Sequence, residues 1–142
     1  MIDISVVGCG SAFFERISKL IQMCFYGKTV DGVNMHEYAS FTNNQQNFGR
    51  YCFLSTELAD VEKIVEMIKT KSELTKIVYV GNCNSSKNIK LALNGFSLGI
   101  SGFIFKSYEN TEILRAFGYL FNPLYYVRYG RYIFTKRALT TL

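Results

Sequence analysis

Proline occurs once in these 142 residues, at Pro123. No apolar run reaches the roughly 20 residues that a membrane-spanning helix requires. Together with 49% hydrophobic and 19% charged residues, this composition argues against a disordered chain and against a membrane span. The amino terminus, Met-Ile-Asp-Ile-Ser-Val-Val, has no basic flank and no small-residue cleavage site, so it reads as a first strand rather than a signal peptide, and a cytoplasmic location is expected. Paired cysteines are missing as well. Cys9, Cys24, Cys52 and Cys83 stand singly, with no C-x-x-C spacing for a metal site or a redox dithiol, which suits reduced and mostly buried thiols. Cys9 and Cys83 follow expected strands at a sheet's carboxyl edge, where redox sensing would need a lowered thiol pKa. The only histidine, His36, lies inside the strand-like Asn34–Tyr38, a setting that favours a structural role over a ligand role.

Acidic residues stop at Glu112. Residues 1–112 hold eleven Lys/Arg and all eleven Asp/Glu, whereas residues 113–142 hold Arg115, Arg128, Arg131, Lys136 and Arg137 and no acid, so the whole net charge of +5 belongs to the carboxyl end. Tyr125, Tyr126, Tyr129, Tyr132 and Phe134 are interleaved with those cations. Such a pattern suits phosphates and bases; the competing reading is a basic connector held on the domain by its aromatics.

A chain of this length buries roughly 68–70% of its unfolded surface in one domain, and a second packed domain does not fit. Short apolar runs alternate with helical patterns, the mark of βαβ units and a parallel sheet. Strands are expected at Ile4–Val7, Met35–Ala39, Tyr51–Leu54, Ile77–Val80 and Gly102–Phe105. Helices are expected at Ser11–Phe25, where Phe13, Ile17, Leu20, Ile21 and Cys24 share one face, and at Glu57–Lys69, Ser86–Asn94 and Thr111–Phe121. Gly95 is read as the stop of the third of these, with Gly99 and Gly102 supplying the following turn. The polar stretch Phe41–Gly49 stands where another helix would be expected, and its Asn and Gly content makes that helix short or absent. Pro123 marks where the last helix must end. The fold class is therefore α/β, a doubly wound five-stranded parallel sheet over residues 1–122, with residues 123–142 as a basic aromatic tail or extra helix.

Two enzymatic readings fail on the residues. Gly8-Cys9-Gly10 between strand and helix matches two glycines of the dinucleotide fingerprint, but Phe13 occupies the third position. Ser55 as a nucleophile would need a positioned base, and His36 lies in another strand without a visible acid partner. Ser55 instead suits the cap of the helix expected from Glu57. No enzyme is expected.

The run Ala92-Leu-Asn-Gly-Phe-Ser-Leu-Gly-Ile-Ser-Gly-Phe-Ile-Phe-Lys106 and the helix-like Thr111–Leu120 after it resemble the last third of a response-regulator receiver domain of the kind joined to LuxR-type DNA-binding domains. That resemblance implies the flavodoxin-like or CheY-like strand order. It also places an acidic pair after the first strand, a phosphorylated aspartate after the third, a Thr or Ser after the fourth and a lysine after the fifth. Here Gly8 and Cys9 stand for the acidic pair, Ser55 for the aspartate and Gly81 for the switch hydroxyl; only Lys106 remains. Gly and Cys cannot give a hard cation the anionic oxygens it needs, and serine cannot form an acylphosphate. Lys106 is thereby expected to be structural, hydrogen-bonding neighbouring loops.

The tail run Gly130-Arg-Tyr-Ile-Phe-Thr-Lys136 resembles the opening of the extra helix in biofilm regulators of the CsgD and VpsT type. VpsT-like members carry there a Trp-(Phe/Leu/Met)-(Thr/Ser)-Arg motif that binds cyclic di-GMP and drives dimerisation. In this chain the four positions are Ile133, Phe134, Thr135 and Lys136; isoleucine lacks the stacking face and lysine lacks the bidentate fork. What the resemblance implies is a phosphorylation-independent regulatory domain of a LuxR-type transcription factor. It would form a homodimer through Ile113, Phe117, Leu120, Tyr125 and Tyr126, and reach DNA only through a helix-turn-helix domain that this sequence does not contain. One alternative is a sensor binding cyclic di-GMP or another anionic nucleotide through Arg128, Arg131, Ile133, Phe134, Thr135, Lys136 and Arg137. Another is an adaptor that binds a protein through the former phosphorylation face. No other cofactor or metal is expected.

Overall fold

The computed structural model describes residues 2–25, 32–42, 48–82 and 86–121. Its order is β1 (Ile2–Val7), α1 (Ser11–Phe25), β2 (Val33–Tyr38), β3 (Tyr51–Ser55), α2 (Val61–Lys71), β4 (Lys76–Gly81), α3 (Ser86–Leu98), β5 (Gly102–Phe105) and α4 (Asn110–Phe121). All strand pairings are parallel, in the order β2-β1-β3-β4-β5. The α/β doubly wound fold expected from the sequence is what the chain adopts.

Burial explains the strand composition. Every residue of β3 is buried, as are Ile77 to Gly81 of β4, because helices cover both faces of the sheet and leave no solvent side to be polar; the short β5, at one edge, is buried throughout as well. β2, at the sheet edge, has no fully buried residue. α1 packs beside α4, and α2 beside α3. Phe53 meets Phe117 of α4 edge-on at 5.9 Å. Tyr79, whose register partner is Leu54 and which therefore points to the opposite face, reaches Gly95 of α3.

Several element ends shift by one or two residues from the sequence expectation, and two helix ends shift by about a full turn. α2 starts at Val61 and not at Glu57, because residues 56–60 turn first and Asp60 takes a left-handed conformation (φ 54°) directly before the helix, with no side-chain cap. α3 runs through Gly95 and ends at Leu98. Gly95 is a packing position: a Cβ there would lie 2.7 Å from both Ile100 Cδ1 and Tyr79 Cε2. The stop is Gly99, at φ +105°; Gly99 N–H donates to Phe96 O and Ile100 N–H to Gly95 O, which is a Schellman cap. Between β2 and β3, where the sequence expects a helix that is short or absent, the described residues form none, and residues 43–47 lie outside the described residues. Phe41 and Phe48 stack there with rings 5.9 Å apart and 11° from parallel, and Phe48 is buried. Pro123 and the tail 123–142 lie outside the described residues.

Candidate functional site

The carboxyl edge of the sheet gathers the residues at the receiver motif positions. β1 ends into a turn whose Gly8 and Gly10 have positive φ, 73° and 88°, so the chain reverses tightly into α1. Leu58, from the β3–α2 loop, lies over that turn: a Cβ on Gly8 would fall 2.7 Å from Leu58 Cδ2. An aliphatic side chain thus occupies the approach to the first acidic position. Leu58, with Asp60 and Lys63, also lines two grooves, one of about 440 Å³ that includes Lys87 and Leu91, the other of about 330 Å³ that includes Phe41 and Met67.

Lys106, at the end of β5, donates from Nζ to the backbone carbonyl of Cys9 at 2.6 Å and sits 5.7 Å from the centre of the Phe13 ring. Its expected loop-bonding role is what the geometry has. The Cys9 side chain turns inward and its thiol contacts Val7 O at 3.6 Å. Burial pushes that thiol up to about 12, against a smaller opposing pull from the Lys106 charge. A thiol so placed is protonated and unreactive, so the redox-sensing reading of Cys9 is corrected. Cys83 lies outside the described residues.

Ser55 is 1% exposed. Its hydroxyl accepts from Glu57 N–H at 3.1 Å, closing the turn that precedes α2 rather than capping the helix itself. Thr56 donates from Oγ1 toward Val80 O at 3.4 Å and Asn88 Oδ1 at 3.3 Å, tying the same turn to β4 and α3. Gly81 is buried, and a Cβ there would lie 3.1 Å from both Phe103 Cζ and Phe105 Cδ1. Aromatic rings therefore press on the place where a switch hydroxyl would stand. Gly8 offers no side chain, the Cys9 thiol is buried, and the described residues contain no cluster of three His, Cys, Asp or Glu able to hold a metal.

One residue at this edge escaped sequence reasoning. Arg16, on α1, reaches across to the β5–α4 loop, donating from Nε to Asn110 Oδ1 at 2.8 Å, from Nη1 to Lys106 O at 2.9 Å and from Nη2 to Tyr108 O. Nothing in local periodicity signals it, because its partners lie 90 to 94 residues away.

Of the expected dimer residues, Ile113, Phe117 and Leu120 are each 0% exposed. They are core residues of the inward face of α4 and have no surface to offer a second chain, so that assignment is corrected. Tyr125 and Tyr126 lie outside the described residues, as do Arg128, Arg131, Ile133, Phe134, Thr135, Lys136 and Arg137.

No family model matches the chain, and no curated protein matches it. Solved structures do. The BeF3-activated receiver domain of DrrB superposes with a TM-score of 0.63 at 19% identity, covering 83% of this chain and 95% of that one; DrrB is a Thermotoga maritima OmpR/PhoB homologue. RcsB from Salmonella enterica serovar Typhimurium, solved on promoter rprA with a phosphomimetic, gives 0.68 at 16% identity over 97% of this chain and 64% of that chain. A LuxR family DNA-binding response regulator from Silicibacter pomeroyi gives 0.64 at 11% identity over 84% and 91%. The fold is that of response-regulator receiver domains, and its neighbours include LuxR-family members. Among the described residues no helix is long and apolar enough to cross a membrane.

Proposed function

We propose that this chain is a non-catalytic, receiver-like regulatory domain of a LuxR-type transcriptional regulator that works without aspartyl phosphorylation, by pairing two copies of the protein that carries it. The observation that carries the reading is the seating of Lys106 Nζ on the Cys9 carbonyl, beneath a turn that Leu58 covers. The lysine donates to main chain, and among the described residues no cluster of His, Cys, Asp or Glu at this edge could hold a metal. The LuxR-family and promoter-bound neighbours support the transcriptional part. Pairing would bring two DNA-binding units to the two half-sites of a palindrome. With Ile113, Phe117 and Leu120 in the core, it falls to the outward side of α4 and to Tyr125 and Tyr126.

The test has two parts. Intact mass after incubation with acetyl phosphate and Mg²⁺ should show no phosphoryl adduct; an adduct would end the phosphorylation-independent reading. Light scattering of the purified chain should give a dimer without added ligand, and a monomer at tens of micromolar would remove the pairing function. A second reading, a sensor of cyclic di-GMP, is supported by the acid-free basic run from 113 to 142 with Phe134 and Thr135 in it. A dimer that forms only when cyclic di-GMP is added would favour that reading. A monomer in both conditions that captures another protein would favour the adaptor.

A further inference from the structure

The carboxyl edge is cross-braced by two cations working in opposite directions. Arg16 leaves α1 and donates to three oxygens of the segment between β5 and α4: the carbonyls of Lys106 and Tyr108, and the side chain of Asn110, the first residue of α4. Lys106 leaves that same segment and donates back to the Cys9 carbonyl in the turn before α1. Each cation is thereby fixed by the strand-to-helix connection of the other. Arg16 is half-buried, and no ion pair joins either cation to a carboxylate among the described residues; both spend their donors on neutral oxygens. A guanidinium suits this role because its planar fork presents donors on three separate nitrogens, Nε, Nη1 and Nη2, whereas an ammonium must serve every acceptor from one.

We infer that Arg16 and Lys106 form a built-in latch that sets the β5–α4 connection, and with it the start of α4, in a single position without any phosphoryl group. The inference rests on the reading above that this edge takes no phosphoryl group. It adds the device that stands in its place. The connection itself is short, with one turn from Lys106 to Tyr108 closed by Tyr108 N–H to Phe105 O and the first turn of α4 closed by Ile113 N–H to Glu109 O. Arg16 adds a bond from outside the segment to the carbonyls of Lys106 and Tyr108. α4 is also the last described helix before the basic tail.

Hydrogen–deuterium exchange of the full chain tests this. In Arg16→Ala, amides of residues 106–114 should exchange on the order of tenfold faster, as expected when charged hydrogen bonds to a loop are lost, while those of β3 keep the wild-type rate. Arg16→Lys should recover only part of the protection, because one ammonium cannot reach all three oxygens. Lys106→Met should loosen the same peptides together with residues 8–12. A uniform rise over all peptides, no change at 106–114, or full protection in Arg16→Lys would each overturn the latch. Should Arg16→Ala fail to fold, Asn110→Ala removes one acceptor and must give a smaller rise confined to the same peptides. Adding BeF3⁻ and Mg²⁺ to the wild type separates the two readings: slower exchange at 106–114 would sink phosphorylation independence, and the Arg16 comparison would still decide the latch by itself.

Discussion

Leu58 and Gly8 touch so closely that a Cβ on the glycine would lie 2.7 Å from the leucine Cδ2. The β3–α2 loop therefore closes on the β1–α1 turn at the point where a receiver's acidic pair begins. Restoring that acid by Gly8→Asp meets the Leu58 side chain and a φ of +73°. It should cost about 2 kcal/mol or more in urea unfolding, from overpacking with a left-handed backbone added. Leu58→Ala removes the obstruction, so the double variant should lose about 1 kcal/mol less than the sum of the single losses. Strict additivity would show that Leu58 does not exclude the acid.

Phe117 separates core packing from interface. It is 0% exposed and packs edge-on against Phe53, with Phe121 5.1 Å away on the same helix. Truncation to alanine should destabilise the domain by about 3–5 kcal/mol, the usual loss for a buried phenylalanine, with the molar mass of the folded protein unchanged. A loss under about 1 kcal/mol accompanied by a change in molar mass would return Phe117 to an interface.

The central strands were legible because a parallel strand buried on both faces leaves an unbroken apolar run, as in Tyr51–Leu54 and Ile77–Val80. α1 was legible to the residue, since Phe13, Ile17, Leu20 and Ile21 all take the inward face. Gly95 misled as a helix stop because a glycine needed for close packing and one needed for positive φ are the same letter; only the neighbouring Tyr79 and Ile100 tell them apart. At the edge, Gly8, Cys9, Ser55 and Gly81 stand where the receiver resemblance expects an acidic pair, an aspartate and a hydroxyl, so the proposal of lost phosphoryl chemistry came from that resemblance and not from composition. What fills the space was not legible. Leu58 and Arg16 act through contacts set by the sheet order, and a single sequence carries no local trace of such contacts.

Asp3 and His36 give the edge strand a pH-dependent tie. The carboxylate of Asp3 on β1 meets His36 Nε2 at 3.0 Å and accepts from Asn34 Nδ2 at 3.3 Å, both on β2. The His36 hydrogen bond is the main reason that the Asp3 carboxyl is held below its ordinary 3.8. A lowered folded value means the unfolded chain takes up the proton first, so the tie contributes fully above that ordinary value and is lost as pH falls through the lower folded value. Asp3→Asn should melt below wild type at about pH 5, and the gap should shrink steadily on acidification toward about pH 2. A gap unchanged over that range would show that the Asp3 charge carries none of the tie.

Cys9, in the β1–α1 turn, and Cys52, in β3, are both buried thiols. Both thiols are pushed from 9.0 up to about 12, in each case chiefly by burial. Ser5 opposes that for Cys52, as Lys106 does for Cys9, and in both the loss of water outweighs the favourable neighbour. Moving a thiol that far lowers its thiolate fraction near neutral pH by roughly a thousandfold, and the thiolate is the species that reacts. Alkylation mapped by mass spectrometry at about pH 8 should therefore leave both residues unlabelled in the folded protein and label both in urea, with a rate that tracks global unfolding. Labelling of folded Cys9 at the speed of a free thiol would mean that the β1–α1 turn opens on its own. Lys106 would then have released the Cys9 carbonyl, because the thiol and that carbonyl belong to one residue and are covered by the same packing.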